Sequence, residues 1–109
     1  MGSQQTIVDH LVDQMQAAGH VTAKKMFGEY GLYCDGKIVA LVCDDMLFLK
    51  PTAAARTRTV GFDEAPPYPG AKPSIVIPPD KWEDREWLSE LIKASAAELP
   101  PPKEKRPKQ

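Results

Sequence analysis

Apolar residues recur in two rhythms along this chain: a helical one near each end and a strand-like one between them. Ile7, Val8, Leu11, Val12 and Met15 fall at helical spacing with Asp9, Asp13 and Gln16 opposite, which predicts an amphipathic helix over residues 4–18. Ser3 or Thr6 can cap its start and Gly19 its end. From Met26 to Lys50 the rhythm changes to three antiparallel strands. Val21 to Phe27 is read as the first part of one extended segment, with a bulge or bend at Gly28 before Tyr30. Asp35-Gly36 is the pair best suited to a two-residue turn with positive φ, and Asp44-Asp45 can make the next one. Between those turns Ile38 to Cys43 is apolar throughout, as in a central strand covered on both faces.

Two-residue turns set a register. Tyr33 is expected opposite Ile38, Leu32 opposite Val39, Gly31 opposite Ala40 and Tyr30 opposite Leu41. In the second hairpin Val42 faces Leu47, Leu41 faces Phe48 and Ala40 faces Leu49. Alternation then gives one face with Tyr30, Leu32, Val39, Leu41, Cys43, Met46 and Phe48. The other carries Gly31, Tyr33, Ile38, Ala40, Val42, Leu47 and Leu49, where Gly31 beside Ala40 leaves room for a helix to approach closely. Neither face is polar enough to lie open to water.

Beyond the strands, Thr52 caps a short alanine-rich helix running to about Val60, and Gly61 stops it. Residues 62–72, with Pro66, Pro67, Pro69 and Gly70, read as loop or irregular edge strand, and Ser74 to Ile77 as a short strand. Asp80 or Asp84 opens a last helix with an apolar stripe of Trp82, Trp87, Leu88, Leu91 and Ile92, ended by Pro100. The class is α+β. The first helix is expected to place Ile7, Leu11 and Met15 on one sheet face, with Trp87, Leu91 or Ile92 of the last helix in the same core. The opposite face, with Tyr30, Leu32, Leu41 and Phe48 as its candidate interaction surface, is then left to loops or to a second copy of the chain, so a homodimer is expected.

Bulk properties narrow the classes. A chain of 109 residues, 42% hydrophobic, supports one domain, placed at residues 1–99. Residues 100–109 carry Lys103, Lys105, Arg106 and Lys108 against Glu104. That tail is +3, which leaves −4 on residues 1–99 of a chain whose net charge is −1. A proline-rich basic tail of this kind reads as disordered. An acidic body is a poor phosphate-binding surface, so sequence-specific DNA binding by this chain alone is not expected. There is no long apolar run and no signal-peptide pattern, which gives a cytoplasmic address and no membrane. Cys34 and Cys43 would lie six residues apart along a strand, about 20 Å, too far for a disulfide, and free thiols suit a reducing compartment.

No catalytic constellation emerges. His10 and His20 are the only histidines, neither cysteine has metal-ligand spacing, and Asp44-Asp45 reads as a turn former rather than a metal site. The stretch Phe27-Gly28-Glu29-Tyr30-Gly31 leads into a strand, whereas phosphate-binding loops open a helix. No catalytic, cofactor or metal residue is therefore assigned. An enzyme using Cys34 or Cys43 is a remote reading. The alternative to a protein-binding module is a small-ligand or single-stranded nucleic-acid platform built from Lys24, Lys25, Tyr30 and Tyr33.

The run Met26-Phe27-Gly28, Tyr30-Gly31-Leu32-Tyr33, Gly36 and the apolar strands to Leu49-Lys50 resembles the N-terminal domain of the TfoX/Sxy family, bacterial regulators of competence for DNA uptake. The resemblance is strongest over residues 5–60 and continues more loosely through Pro78 and the last helix. It implies a free-standing two-layer sandwich in the order α-β-β-β-α-β-β-α, akin to secretion-chaperone-like folds. Full-length regulators of the family carry a second, helical domain and act with the cyclic-AMP receptor protein at competence promoters. The family supplies no catalytic residues. What the resemblance implies is a non-enzymatic regulatory or adaptor module acting through protein contacts, with the transcription machinery as the class of partner.

Overall fold

The helix at the N-terminus, α1 (Gln5–Gln14), continues into a 3-10 turn at Gln16–Ala18 and buries Val8, Leu11 and Met15. The computed structural model describes residues 4–26 and 29–99. Ser3, Phe27, Gly28 and the tail at 100–109, on which expectations were placed, lie outside the described residues. Gln4 is the N-cap of α1 without a side-chain bond; its backbone N–H donates to Asp45 Oδ1 at 2.8 Å instead.

The strands are β1 (Val21–Met26), β2 (Glu29–Cys34), β3 (Lys37–Cys43), β4 (Met46–Leu49), β5 (Glu64–Ala65) and β6 (Ser74–Ile77). They form one antiparallel sheet in the order β1-β2-β3-β4-β6-β5. The short helix α2 (Ala53–Arg58), one turn α3 (Pro79–Trp82) and the long α4 (Arg85–Glu98) complete the chain. The α+β class is as expected, with one strand more before α2. Val21–Met26 does not continue into Glu29–Cys34 but pairs back on it, from Val21 opposite Cys34 to Met26 opposite Glu29. The bulge or bend expected at Gly28 lies outside the described residues; the pairing itself shows that β1 and β2 run antiparallel.

Both later turns behave as their residues dictate. Asp35 and Gly36 have φ of 52° and 84°, Asp44 and Asp45 of 54° and 61°, the left-handed pairs that match the strand twist of tight hairpins. The β3–β4 register is as read: Ala40, Leu41 and Val42 lie opposite Leu49, Phe48 and Leu47. The β2–β3 register holds only as far as Tyr33 opposite Ile38. Leu32 then pairs with Ala40, Gly31 with Leu41 and Tyr30 with Val42, because Val39 is an extra residue in a β-bulge.

That one residue re-sorts the faces. Tyr30, Leu32 and Cys34 now share a face with Ala40, Val42, Leu47, Leu49, Ile75 and Ile77, and the bulge brings Val39 into the same core. Val8, Leu11 and Met15 from α1, Ala55 from α2, Trp82, and Leu88, Leu91, Ile92 and Ala96 from α4 join this core, with Ile7 and Trp87 partly buried against it. The helices thus form one layer over one face. Gly31 lies on the opposite face, so the expected helix approach at Gly31 beside Ala40 does not exist.

The helix ends follow local chemistry. Thr52 Oγ1 accepts the Ala55 N–H at 3.1 Å, and the Asp84 carboxylate accepts the Trp87 N–H at 3.1 Å. Lys37 reaches from β3 to donate to the Ala96 carbonyl near the end of α4, where a cation complements the helix dipole. Arg85 spans from α4 to Asp13 and Gln14 of α1, tying the two long helices together.

Candidate functional site

The face that carries no helix is built from Gly31 and Tyr33 of β2, Ile38, Leu41 and Cys43 of β3, Met46 and Phe48 of β4, and Val76 of β6. It is apolar without being part of the main core. Phe48 is only 5% exposed and Cys43 only 7%, yet both stand outside the core cluster that the helices cover. They line a depression of about 730 Å³ together with Ile38 and Leu41, flanked by the loop residues Pro67, Tyr68 and Pro69. Tyr68 is 53% exposed and Met46, at one end of β4, 41%. Polar groups close the two ends of the depression: Glu29 and Asp44 at one, Lys50 and Ser74 at the other.

The four residues expected on the interaction surface are divided by the bulge. Leu41 and Phe48 line the open depression. Tyr30 also borders the depression, but its side chain lies in the helix-covered core and its hydroxyl donates to Gln5 Oε1 of α1 at 2.9 Å. Leu32 is buried in that core and does not line the depression. Ile38, Lys50 and Tyr68 were missed. The phase of Tyr33 could have indicated Ile38, and an aromatic among prolines is a signal for Tyr68.

The aromatic and basic platform is divided as well. Lys24 pairs across to Gly31 and its ammonium lies 5.5 Å from the Tyr33 ring centre, on the open face. Lys25 pairs across to Tyr30, on the helix side. Successive strand residues point to opposite faces, so Lys24 and Lys25 cannot serve one surface.

Other candidate groups have structural employment. Asp44 and Asp45 form the tight turn; the Glu29 carboxylate accepts the Asp44 N–H at 2.9 Å. His10 Nε2 sits 2.9 Å from Glu83 Oε2, an exposed link between α1 and the residue after α3. Cys34 and Cys43 are free and buried. Burial, then the Asp35 carboxylate, pushes the Cys34 thiol up against a smaller opposing pull from Lys37. Burial, then Glu29 and Asp44, pushes Cys43 up. A nucleophilic cysteine needs the reverse, a thiolate favoured by its surroundings. Among the described residues no group of three or more histidine, cysteine or acidic side chains is placed to hold a metal ion, and no helix is long and apolar enough to cross a membrane.

The family model for the TfoX N-terminal domain matches residues 13–99, from the end of α1 through α4. The chain belongs to the TfoX N-terminal domain family. The matched residues take in the strands of the sheet, α2, α3 and α4, and only the last residues of α1. The chain is also similar to the "uncharacterized 12.7 kDa protein in trpE 5′ region" of Spirochaeta aurantia, 39% identical over 98 residues that cover 90% of this chain and 84% of that protein.

Proposed function

We propose that this chain is a non-enzymatic regulatory or adaptor module that works in the cytoplasm through protein contacts made by the open sheet face, with the transcription machinery as the class of partner. One observation carries the reading. The helices all cover one face, while Phe48, Leu41, Ile38 and Cys43 form a second apolar patch with no helix over it. Contiguous apolar surface rimmed by polar groups marks interaction sites. Membership of a family named for a competence regulator supports a regulatory rather than a catalytic role.

A photo-crosslinking residue placed at Leu41 in cells, with adducts identified by mass spectrometry, tests this. Covalent adducts to a defined protein are expected, and their absence contradicts the reading. The nucleic-acid alternative is tested by titrating labelled single- and double-stranded DNA at about 0.15 M salt, with and without residues 100–109. Binding by the tail alone, weak and independent of sequence, is the expected result. Submicromolar, sequence-selective binding that survives tail removal would overturn the protein-contact reading.

A further inference from the structure

The open face has a charge polarity along its strands. Leu41 and Phe48 lie opposite each other in its middle row, with Gly31 and Val76 to either side. At the end where β3 finishes stand Glu29, whose carboxylate already accepts the Asp44 N–H, and Asp44 itself. At the other end stands Lys50, which makes no ion pair among the described residues. Lys72 lies two residues before Ser74 of that same end. Lys50 lies level with Val39 and Glu29 with Cys43, so about four residue steps of β3 separate the ends, roughly 13 Å.

We propose that, while no other protein is docked there, this face is covered by a second copy of the chain, related by a twofold axis that lies between the sheets and runs across the strands. The proposal rests on the reading of this face as a protein-docking surface. A face can be laid on its own copy by a twofold axis in two simple ways. With the axis along the strands, the acidic end covers the partner's acidic end and Lys50 covers the partner's Lys50. With the axis across the strands, each acidic end covers the partner's Lys50, twice in one interface. Like charges brought together are penalised and opposite charges steer association. The second arrangement sets Lys24 of the edge strand β1 near its own copy, but this is one exposed contact at the border against two contacts between an acidic end and Lys50, so the charge pattern still selects it.

Shape agrees with this choice. The rim offers a knob, the half-exposed Tyr68, beside a hole of about 730 Å³, and a self-complementary surface needs both. Four neighbouring strands at about 4.8 Å and the roughly 13 Å between the charged ends give a flat footprint of roughly 250 Å². That is below the ~800 Å² per partner of a standard interface, so the dimer is a weak, concentration-dependent one. Such a dimer buries the two sheets at its centre, and so weak a pairing gives way when another protein docks on the same face.

The test uses the full chain. Sedimentation between about 1 and 200 µM should show a monomer–dimer equilibrium with a micromolar constant, weakened as salt rises. K50E should raise the dissociation constant at least ~10-fold, since it sets a carboxylate over Glu29 and Asp44 of the other copy. Leu41 meets its own equivalent across the axis, so L41C in a Cys43→Ser background should cross-link into a covalent dimer under mild oxidation. M46C in the same background should not, because Met46 at the acidic end lies over the other copy's Lys50 end. Circular dichroism checks that each variant is folded. A folded chain that stays monomeric over the whole range, or a dimer that cross-links through M46C and not L41C, overturns the inference. A monomer whose residue 41 still forms adducts to another protein overturns the twofold pairing and leaves the docking reading standing. Absence of adducts to any protein, this chain included, overturns both.

Discussion

Val39 and Leu41 are two residues apart on one strand, and without the bulge they share a face. With it they do not: Val39 is wholly buried in the helix-covered core and Leu41 is half-buried on the open face. Val39→Ala therefore removes two methyl groups from a packed interior. One buried methyl is worth about 0.5–1.5 kcal/mol, so the pair is worth about 1–3 kcal/mol, and the neighbouring Leu32 and Ala40 leave little freedom to collapse into the gap. Leu41→Ala removes more atoms from a site already partly in water and should cost less, below about 1 kcal/mol in the monomer. For a folded unit of this size about 1 kcal/mol shifts the melting temperature by 4–8 °C, so the midpoint of about 2 kcal/mol for Val39→Ala lowers melting by roughly 8–16 °C, while Leu41→Ala stays within a few degrees of wild type. Thermal or urea unfolding followed by circular dichroism at low micromolar chain, where self-association does not contribute, reads both. If Leu41→Ala proves the more damaging of the two, the bulge is not where the structure has it, and the division of faces fails with it.

Three further outcomes follow from single contacts. Asp84→Ala leaves the Trp87 N–H without its cap at the start of α4 and should cost about 1 kcal/mol, whereas Asp84→Asn should retain most of it. Ser95 is fully buried in α4 and its hydroxyl has no hydrogen-bond partner among the described residues, so Ser95→Ala should raise the melting temperature. A fall of several degrees would show that the hydroxyl is satisfied after all. Both thiols are pushed above the ordinary range, which means the folded chain holds their protons more tightly than the unfolded chain. Their contribution to stability is complete below the unfolded value near 8.5 and is lost as pH rises from there through the folded values. Urea midpoints in Cys34→Ala and wild type should therefore diverge less at high pH than at pH 7, and a divergence that grows with pH would contradict this.

Much of the fold was legible because its signals are local. Asp35-Gly36 and Asp44-Asp45 announce their turns, Thr52 and Asp84 their caps, and the helical stripes name the core residues of α1 and α4. The bulge was not legible, since Ile38 to Cys43 is apolar at every position and a run without polar residues has no phase to read. The register therefore held near the turn and slipped beyond Val39, which sent Tyr30 and Leu32 to the wrong face. Reading Val21 to Phe27 as the first part of the strand at Tyr30 hid one strand, because both stretches are extended and pair with each other rather than continue. Of the candidate surface, Leu41 and Phe48 were placed correctly because the second hairpin carries no bulge. Lys50 and Tyr68 are joined to it only by tertiary structure.

The central claim is that the open sheet face, and not the helix layer, is the surface this chain uses. Hydroxyl-radical footprinting by mass spectrometry measures that directly, comparing the dilute purified chain with the same chain at high concentration and in extract of the cells that make it. Tyr33, Leu41, Met46 and Tyr68 should oxidise readily when dilute and become protected in the other two samples, while Trp87 and His10 on the helix side keep their rates. Unchanged rates at Leu41, Met46 and Tyr68, with protection appearing at Trp87 and His10 instead, would contradict the account.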